Sequence, residues 1–240
     1  MIKELFNRNN EIFTLNKKFK FAASIGTSVS IGFLNLKYNV PAFNFNEDDD
    51  SVVKYYSWLA YPFVTKIINP DCIKFNKWRE KRVLHNSYHE LAYLHPNNFT
   101  PDSNIIKSYN LKPKKYIIIR LSALKAHHDT GAKGITPELL SKIKNLIADY
   151  TIIESHELKN QYKIKPWDMH HVLAYAKMII SDSQTKTIEG AVLGIPSVRI
   201  NTFMGKSTVI DELEEKYNLA YGFLPNEHKS ILMTIKELLN

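Results

Sequence analysis

The run Tyr116-Ile117-Ile118-Ile119 constrains the fold of this chain more than any other feature. A strand with one wet face alternates polar and apolar residues. A continuous apolar run needs cover on both faces, as in a parallel sheet between helical layers. Met178-Ile179-Ile180 repeats the pattern. Between and after these runs come helical signals. Thr136-Pro137-Glu138 opens a helix with a capping hydroxyl, a proline at the first helical position and an acid in the first turn. Gly194 and Pro196 close another. Strands alternating with helices predict an α/β chain built on parallel sheets.

The same reading extends along the chain. Strands are expected at residues 20–25, 40–45 and 65–69, with helices at 28–38 and 51–63. Beyond Lys77 the sequence loosens, with Pro96, Asn97, Asn98 and Pro101 as breakers. The second half restarts with strands at 115–121, 150–153, 178–181, 197–200 and 219–223. Its helices are expected at 136–147, 168–175, 185–193, 209–217 and 227–239. The expected organisation is an N-terminal Rossmann-like domain over residues 1–78, a linker over 79–110 and a C-terminal domain over 111–240. A Rossmann-like domain ordinarily opens with a strand and a glycine-bearing turn near its start. Here the N-terminal domain reads as shortened.

Bulk properties exclude several classes. Cys72 is the single cysteine, so no internal disulfide framework exists, and a reducing cytoplasm is the expected setting. No apolar run approaches the roughly 18 residues of a membrane span. The opening MIKELFNRNNEIF lacks the apolar core of a signal peptide. The net charge of +8 comes from scattered lysines without a nucleic-acid motif, so no nucleic acid is expected as partner. A solvated basic surface explains it, and so does a face that docks peripherally on an anionic membrane or attracts a nucleotide diphosphate. No metal is expected. His85 and His89 lack further ligands in sequence, and Glu47 to Asp50 read as acids at a helix start.

Two segments carry chemistry. The first is the strand–turn–helix from Met178 to Pro196, in which Ser183, Gln184 and Thr185 fall where a strand's carboxyl end meets a helix start. Ligands of open parallel sheets bind at that edge, and free N–H groups with the helix dipole favour a phosphate. Glu189 lies one turn beyond Thr185 on the same helix face, placed to accept hydrogen bonds from a ribose diol. The second follows the strand at 115–121. Arg120 and Lys125 are candidates to neutralise a diphosphate, and His127, His128 and Asp129 are candidate acids or bases. A polar surface loop turning at Gly131 and Gly134 would look the same.

The segment SDSQT, with Glu189, Leu193, Gly194 and Pro196, resembles the donor-binding helix of GT-B glycosyltransferases and of non-hydrolysing UDP-N-acetylglucosamine 2-epimerases. With YHELAYLHP, FTPD and HHDTGAKG, the stretch 21–223 resembles domain-of-unknown-function family 354, often associated with surface polysaccharide genes. The resemblance implies a GT-B-like pair of Rossmann-like domains. It implies binding of a nucleoside-diphosphate sugar, UDP favoured, with a glycan or lipid-linked acceptor and no cofactor. Gln184-Thr185 stands where the epimerases carry Gly-Gly, which separates the chain from them. The resemblance also implies further N-terminal strand–helix units, against which the N-terminal domain is expected to be shortened. Three functions follow as expectations: sugar transfer, 2-epimerisation, or nucleotide or partner binding without turnover.

Weaker candidates complete the set. Gly26 and Thr27 end the first expected strand, and His89 and Glu90 sit in the linker. Glu154 follows the strand at 150–153. All are candidates to line a cleft, and each also fits an ordinary turn, hinge or surface position.

Overall fold

The computed structural model describes residues 2–122, 134–156, 163–202 and 207–240. The chain divides into two compact units. Unit 1 is Met1–Tyr88 with Ser207–Val209, and unit 2 is His89–Lys206 with Ile210–Asn240. The segment 79–110 holds ordered elements, and the boundary falls inside it.

Unit 1 begins with helix α1 (Ile2–Phe19), which the sequence reading did not anticipate. It ends at Lys20, whose φ of 51° is left-handed and whose amide bonds the Asn16 carbonyl at 2.8 Å. The Asn16 side chain takes the next amide, that of Phe21, at 3.0 Å. This helix stop shortens the strand expected at 20–25 to β1 (Ser24–Gly26). Then follow α2 (Val29–Tyr38), β2 (Ala42–Phe45), α3 (Lys54–Ala60), β3 (Lys66–Pro70) and β4 (Arg82–His85). The four strands run parallel in the order β1-β2-β3-β4. Ser28 caps α2 by accepting from the Ser30 amide, and Asn39 closes it in the left-handed region.

The helix expected at 51–63 is broken. Pro62 lies within a 3-10 turn, Tyr61–Phe63, and Lys81 Nζ collects the carbonyls of Tyr61, Pro62 and Val64 at 3.1, 2.7 and 2.9 Å. The acidic run also has a different job from the expected helix cap. Val53 is the N-cap residue of α3 and no side chain caps it. Asp49 instead bonds the amides of Lys74 and Thr208 and the Thr208 hydroxyl, while Asp50 takes the amides of Asn76 and Lys77. Both aspartates are buried, and these donors offset their desolvation.

Unit 2 opens with short helices α4 (Leu91–Leu94) and α5 (Ser103–Ser108). Its sheet comprises β5 (Tyr116–Leu121), β6 (Thr151–His156), β7 (Met178–Ser181), β8 (Ser197–Ile200) and β9 (Ala220–Phe223). The connecting helices are α6 (Pro137–Leu146), α7 (Met169–Ala174), α8 (Gln184–Val192), α9 (Thr208–Glu215) and α10 (His228–Leu239). All pairings are parallel, in the order β6-β5-β7-β8-β9.

The apolar run of β5 feeds two cores. Tyr116 and Ile118 pack with Ile106, Val172, Leu173 and Ile179 on one face. Ile117 and Ile119 pack with Leu139, Ile143, Ile180, Ile231 and Ile235 on the other. Alternate side chains of a strand point to opposite faces, so an uninterrupted run is what a doubly covered strand requires. Each such side chain contributes about 1.5–3 kcal/mol on full burial.

Strand order also locates the crevice. β6 pairs one edge of β5 and β7 the other, so the chain's path reverses between β5 and β7. In a sheet of this order the carboxyl ends of the strands at that switch point open a natural ligand crevice. The sheet of unit 1 runs in simple sequential order and has no such point among its described strands.

Candidate functional site

Ser183 is the N-cap residue of α8 at the end of β7, in extended conformation, and its hydroxyl does not cap the helix. Its own amide is taken by the Ser181 hydroxyl at 2.9 Å, and its carbonyl receives the Thr187 hydroxyl at 2.8 Å. The turn is thereby rigid, while Ser183 and Gln184 are half-buried and Thr185 exposed. α8 ends as read from sequence. Gly194 adopts a φ of 72°, its amide bonds Ala191, and the Ile195 amide bonds Gly190.

Glu189 lies one turn into α8 and is only 3% exposed. Oε1 receives the Tyr93 hydroxyl at 3.3 Å and lies 3.3 Å from His170 Nε2. Oε2 receives Lys186 Nζ at 2.5 Å. Burial pushes the Glu189 carboxyl up, yet His170 and Lys186 outweigh it and hold the group below its ordinary value. His170 belongs to α7 and stacks at a tilt on Tyr93 from α4, with ring centroids 5.4 Å apart. Neighbouring His171 accepts the Asp102 amide at Nδ1 and so ties α5 to α7.

A cavity of about 180 Å³ adjoins this cluster at the switch point. Its apolar walls include Ile118, Ile164, Met169 and Ile179, and its polar groups are Arg120, Ser155 and Lys186. Arg120 extends from β5 and donates to the Ser155 hydroxyl on β6 at 2.8 Å.

Asp182 joins the two candidate segments. Its Oδ1 accepts the Ser122 amide at 2.6 Å, and its carbonyl accepts Asn201 Nδ2 at 3.0 Å. A Cβ placed on Gly134 would collide with the Asp182 side chain, so a larger residue there would have to displace that carboxylate. The chain therefore leaves β5 and returns at Gly134 beside one carboxylate. Burial raises the Asp182 carboxyl, against donors that include the Ser122 amide.

The sequence candidates separate accordingly. Arg120, Ser183, Gln184, Thr185 and Glu189 share this edge of unit 2. Lys125, His127, His128 and Asp129 lie outside the described residues. Glu154 is paired with Lys144 of α6 and with His156, while its neighbour Ser155 lines the cavity. Strand alternation sends these two side chains to opposite faces. Thr27 donates to the Phe45 carbonyl at 2.5 Å, tying the ends of β1 and β2, and Gly26 supplies a φ of 148° just before it. Glu90 is buried at the start of α4, and His89 is half-buried. No group of three or more potential metal-ligating side chains occurs among the described residues.

Ser155, Lys186 and Tyr93 are given no role by the sequence, and His170 reads there only as a helix-start cap, whereas it lies within α7 and faces Glu189. Alternation along β6 signals Ser155, and the i, i+3 spacing to Glu189 signals Lys186. Nothing local signals that Tyr93, His170 and Glu189 meet, because they come from three separate helices.

No family model matches the chain, and no curated protein matches it in sequence. Solved structures do share its fold. The UDP-N-acetylglucosamine 2-epimerase of Rickettsia bellii aligns with a TM-score of 0.67 at 17% identity, over 99% of this chain and 71% of that one. The Methanocaldococcus jannaschii enzyme of the same name, crystallised with UDP-GlcNAc and UDP, aligns with a TM-score of 0.65 at 13% identity, over 98% and 74%. The spinosyn rhamnosyltransferase SpnG, complexed with thymidine diphosphate, aligns with a TM-score of 0.58 at 10% identity, over 99% and 70%. The chain thus has the GT-B-like architecture of two parallel-sheet α/β units, and its 240 residues make it shorter than these neighbours.

Proposed function

We propose that this protein binds a nucleoside-diphosphate sugar, with UDP as the favoured nucleotide, and acts as a glycosyltransferase. The observation carrying this reading is the cavity at the switch point, flanked by the α8 start and by buried Glu189. Its apolar walls and three polar groups suit one heterocyclic base. Arg120, Lys186 and the N–H groups at the start of α8 are arranged for a diphosphate, and Glu189 for the ribose diol. The structural neighbours crystallised with UDP, UDP-GlcNAc or thymidine diphosphate support the same ligand class.

Membership in domain-of-unknown-function family 354 belongs to this proposal, on the SDSQT and HHDTGAKG strings. So do a role in surface polysaccharide or glycoconjugate synthesis, a glycan or lipid-linked acceptor, and a cytoplasmic place with peripheral contact at the inner membrane face. No described helix is long and apolar enough to cross a membrane. The domain division at 79–110 and the catalytic candidates His127, His128 and Asp129 likewise stand as proposals.

Titration calorimetry with UDP tests the reading. Micromolar or tighter binding is expected, weakened about tenfold or more by Glu189→Ala, as loss of a charge-assisted hydrogen bond implies. Unchanged affinity in that variant sinks the ribose assignment.

A second reading, nucleotide-sugar 2-epimerisation, is favoured by one observation. The epimerase neighbours align with TM-scores of 0.65 and 0.67, against 0.58 for the rhamnosyltransferase. Gln184-Thr185 in place of Gly-Gly weighs against it. Product analysis with UDP-N-acetylglucosamine, with and without acceptor glycans, separates the two reactions.

A further inference from the structure

Lys186 is oddly placed for a lysine. It is the third residue of α8, inside the first turn, where the helix dipole repels a cation and no acid of that turn compensates. Two features hold it there. Its Nζ contacts Glu189 Oε2 at 2.5 Å, and its side chain, 27% exposed, also lines the cavity beside Arg120. Both oxygens of Glu189 are engaged in this state. Tyr93 and His170 face Oε1, and Lys186 holds Oε2. The side chain is 96% shielded, so a ribose hydroxyl reaches it only if one of these partners moves aside.

Of the three partners, Lys186 is the one free to leave. Tyr93 and His170 are rings stacked on each other, and His170 is further flanked by Phe99. Lys186 has a flexible four-carbon stem ending in a point charge. A phosphate at the helix start would lie within its reach.

We propose that Lys186 is a transferable counterion. It neutralises Glu189 in the empty protein and turns to the phosphates when a nucleoside diphosphate binds, freeing a Glu189 oxygen for the ribose. This rests on the nucleotide site assigned above. Its consequence is coupling: the phosphate end of the ligand unlocks recognition of the sugar end. A nucleoside without phosphates has to displace the lysine unaided, so the site discriminates diphosphate from nucleoside more strongly than phosphate contacts alone would.

The test compares UDP, measured by titration calorimetry, with uridine, measured by competition against UDP. The proteins are wild type, Lys186→Met and Lys186→Gln, with thermal unfolding as a check on folding. Lys186→Met is expected to weaken UDP about tenfold or more while leaving uridine unchanged or tighter, because Glu189 is already released. Lys186→Gln is expected to do the same and covers the case in which the methionine variant fails to fold. Equal weakening of UDP and uridine would mean that Lys186 merely props Glu189, and the inference falls. UDP affinity unchanged by either variant also overturns it. If wild type binds neither ligand, the site assignment itself fails and the inference goes with it.

Discussion

At the residue scale the notable feature is a buried carboxylate whose neighbours win against burial. Glu189 is nearly inaccessible, which alone would favour its neutral form, yet His170 and Lys186 keep it ionised. A carboxyl held below its ordinary value stabilises the fold above that value, 4.5, and the contribution is lost as pH falls through the folded value. Urea unfolding of wild type and Glu189→Gln across the acid range checks this. The advantage of wild type should be full at neutral pH and should shrink below pH 4.5. A difference that is constant or grows with acid contradicts the charge argument. Asp182 titrates in the opposite sense, because burial holds its carboxyl up, but it is common to both proteins and cancels in the comparison.

At the element scale, helix ends explain why much of unit 2 could be read directly. Thr136 accepts the Leu139 amide at 3.2 Å, Pro137 occupies the first helical position, and Glu138 pairs with Lys142 at 2.6 Å. Thr136→Ala is expected to cost about 1 kcal/mol by loss of the cap, read as a lowered urea midpoint. The elements missed were those with weak local signals. In β4, Val83 and Leu84 are both exposed on an edge strand, so burial imposes no pattern on them. In α1 the residues facing α2 are diluted by many polar neighbours, and the exposed Phe6 and Phe19 blur the stripe further. Pro96 and Pro101 are breakers within 79–110, yet short elements form before the first and after the second.

At the scale of the whole molecule, stability is concentrated where strands are covered twice. Ile117 lies on β5, inside the sheet of unit 2, and is fully buried in its core. Ile117→Ala is expected to cost about 2–5 kcal/mol, whereas Val83→Ala on the exposed edge of unit 1 should stay within about 0.5 kcal/mol. Urea denaturation of both variants measures the contrast, and similar losses would contradict the core assignment. The same sheet order that buries β5 also creates the switch point, so stability and the candidate site share one topological cause.

The sequence by itself determined the parallel α/β character, most strand and helix positions of unit 2, and the α8 start with its Gly194 stop. Those features are local: they depend on runs of apolar residues, caps and left-handed glycines that neighbours along the chain specify. Only the tertiary structure decided which strand lies beside which, and hence where the crevice opens. It also decided that Ser155 rather than Glu154 meets the cavity, and that Lys186, Tyr93 and His170 converge on Glu189. Contacts between distant segments depend on sheet order and helix packing, and no periodicity along the chain encodes which distant partner a side chain will meet.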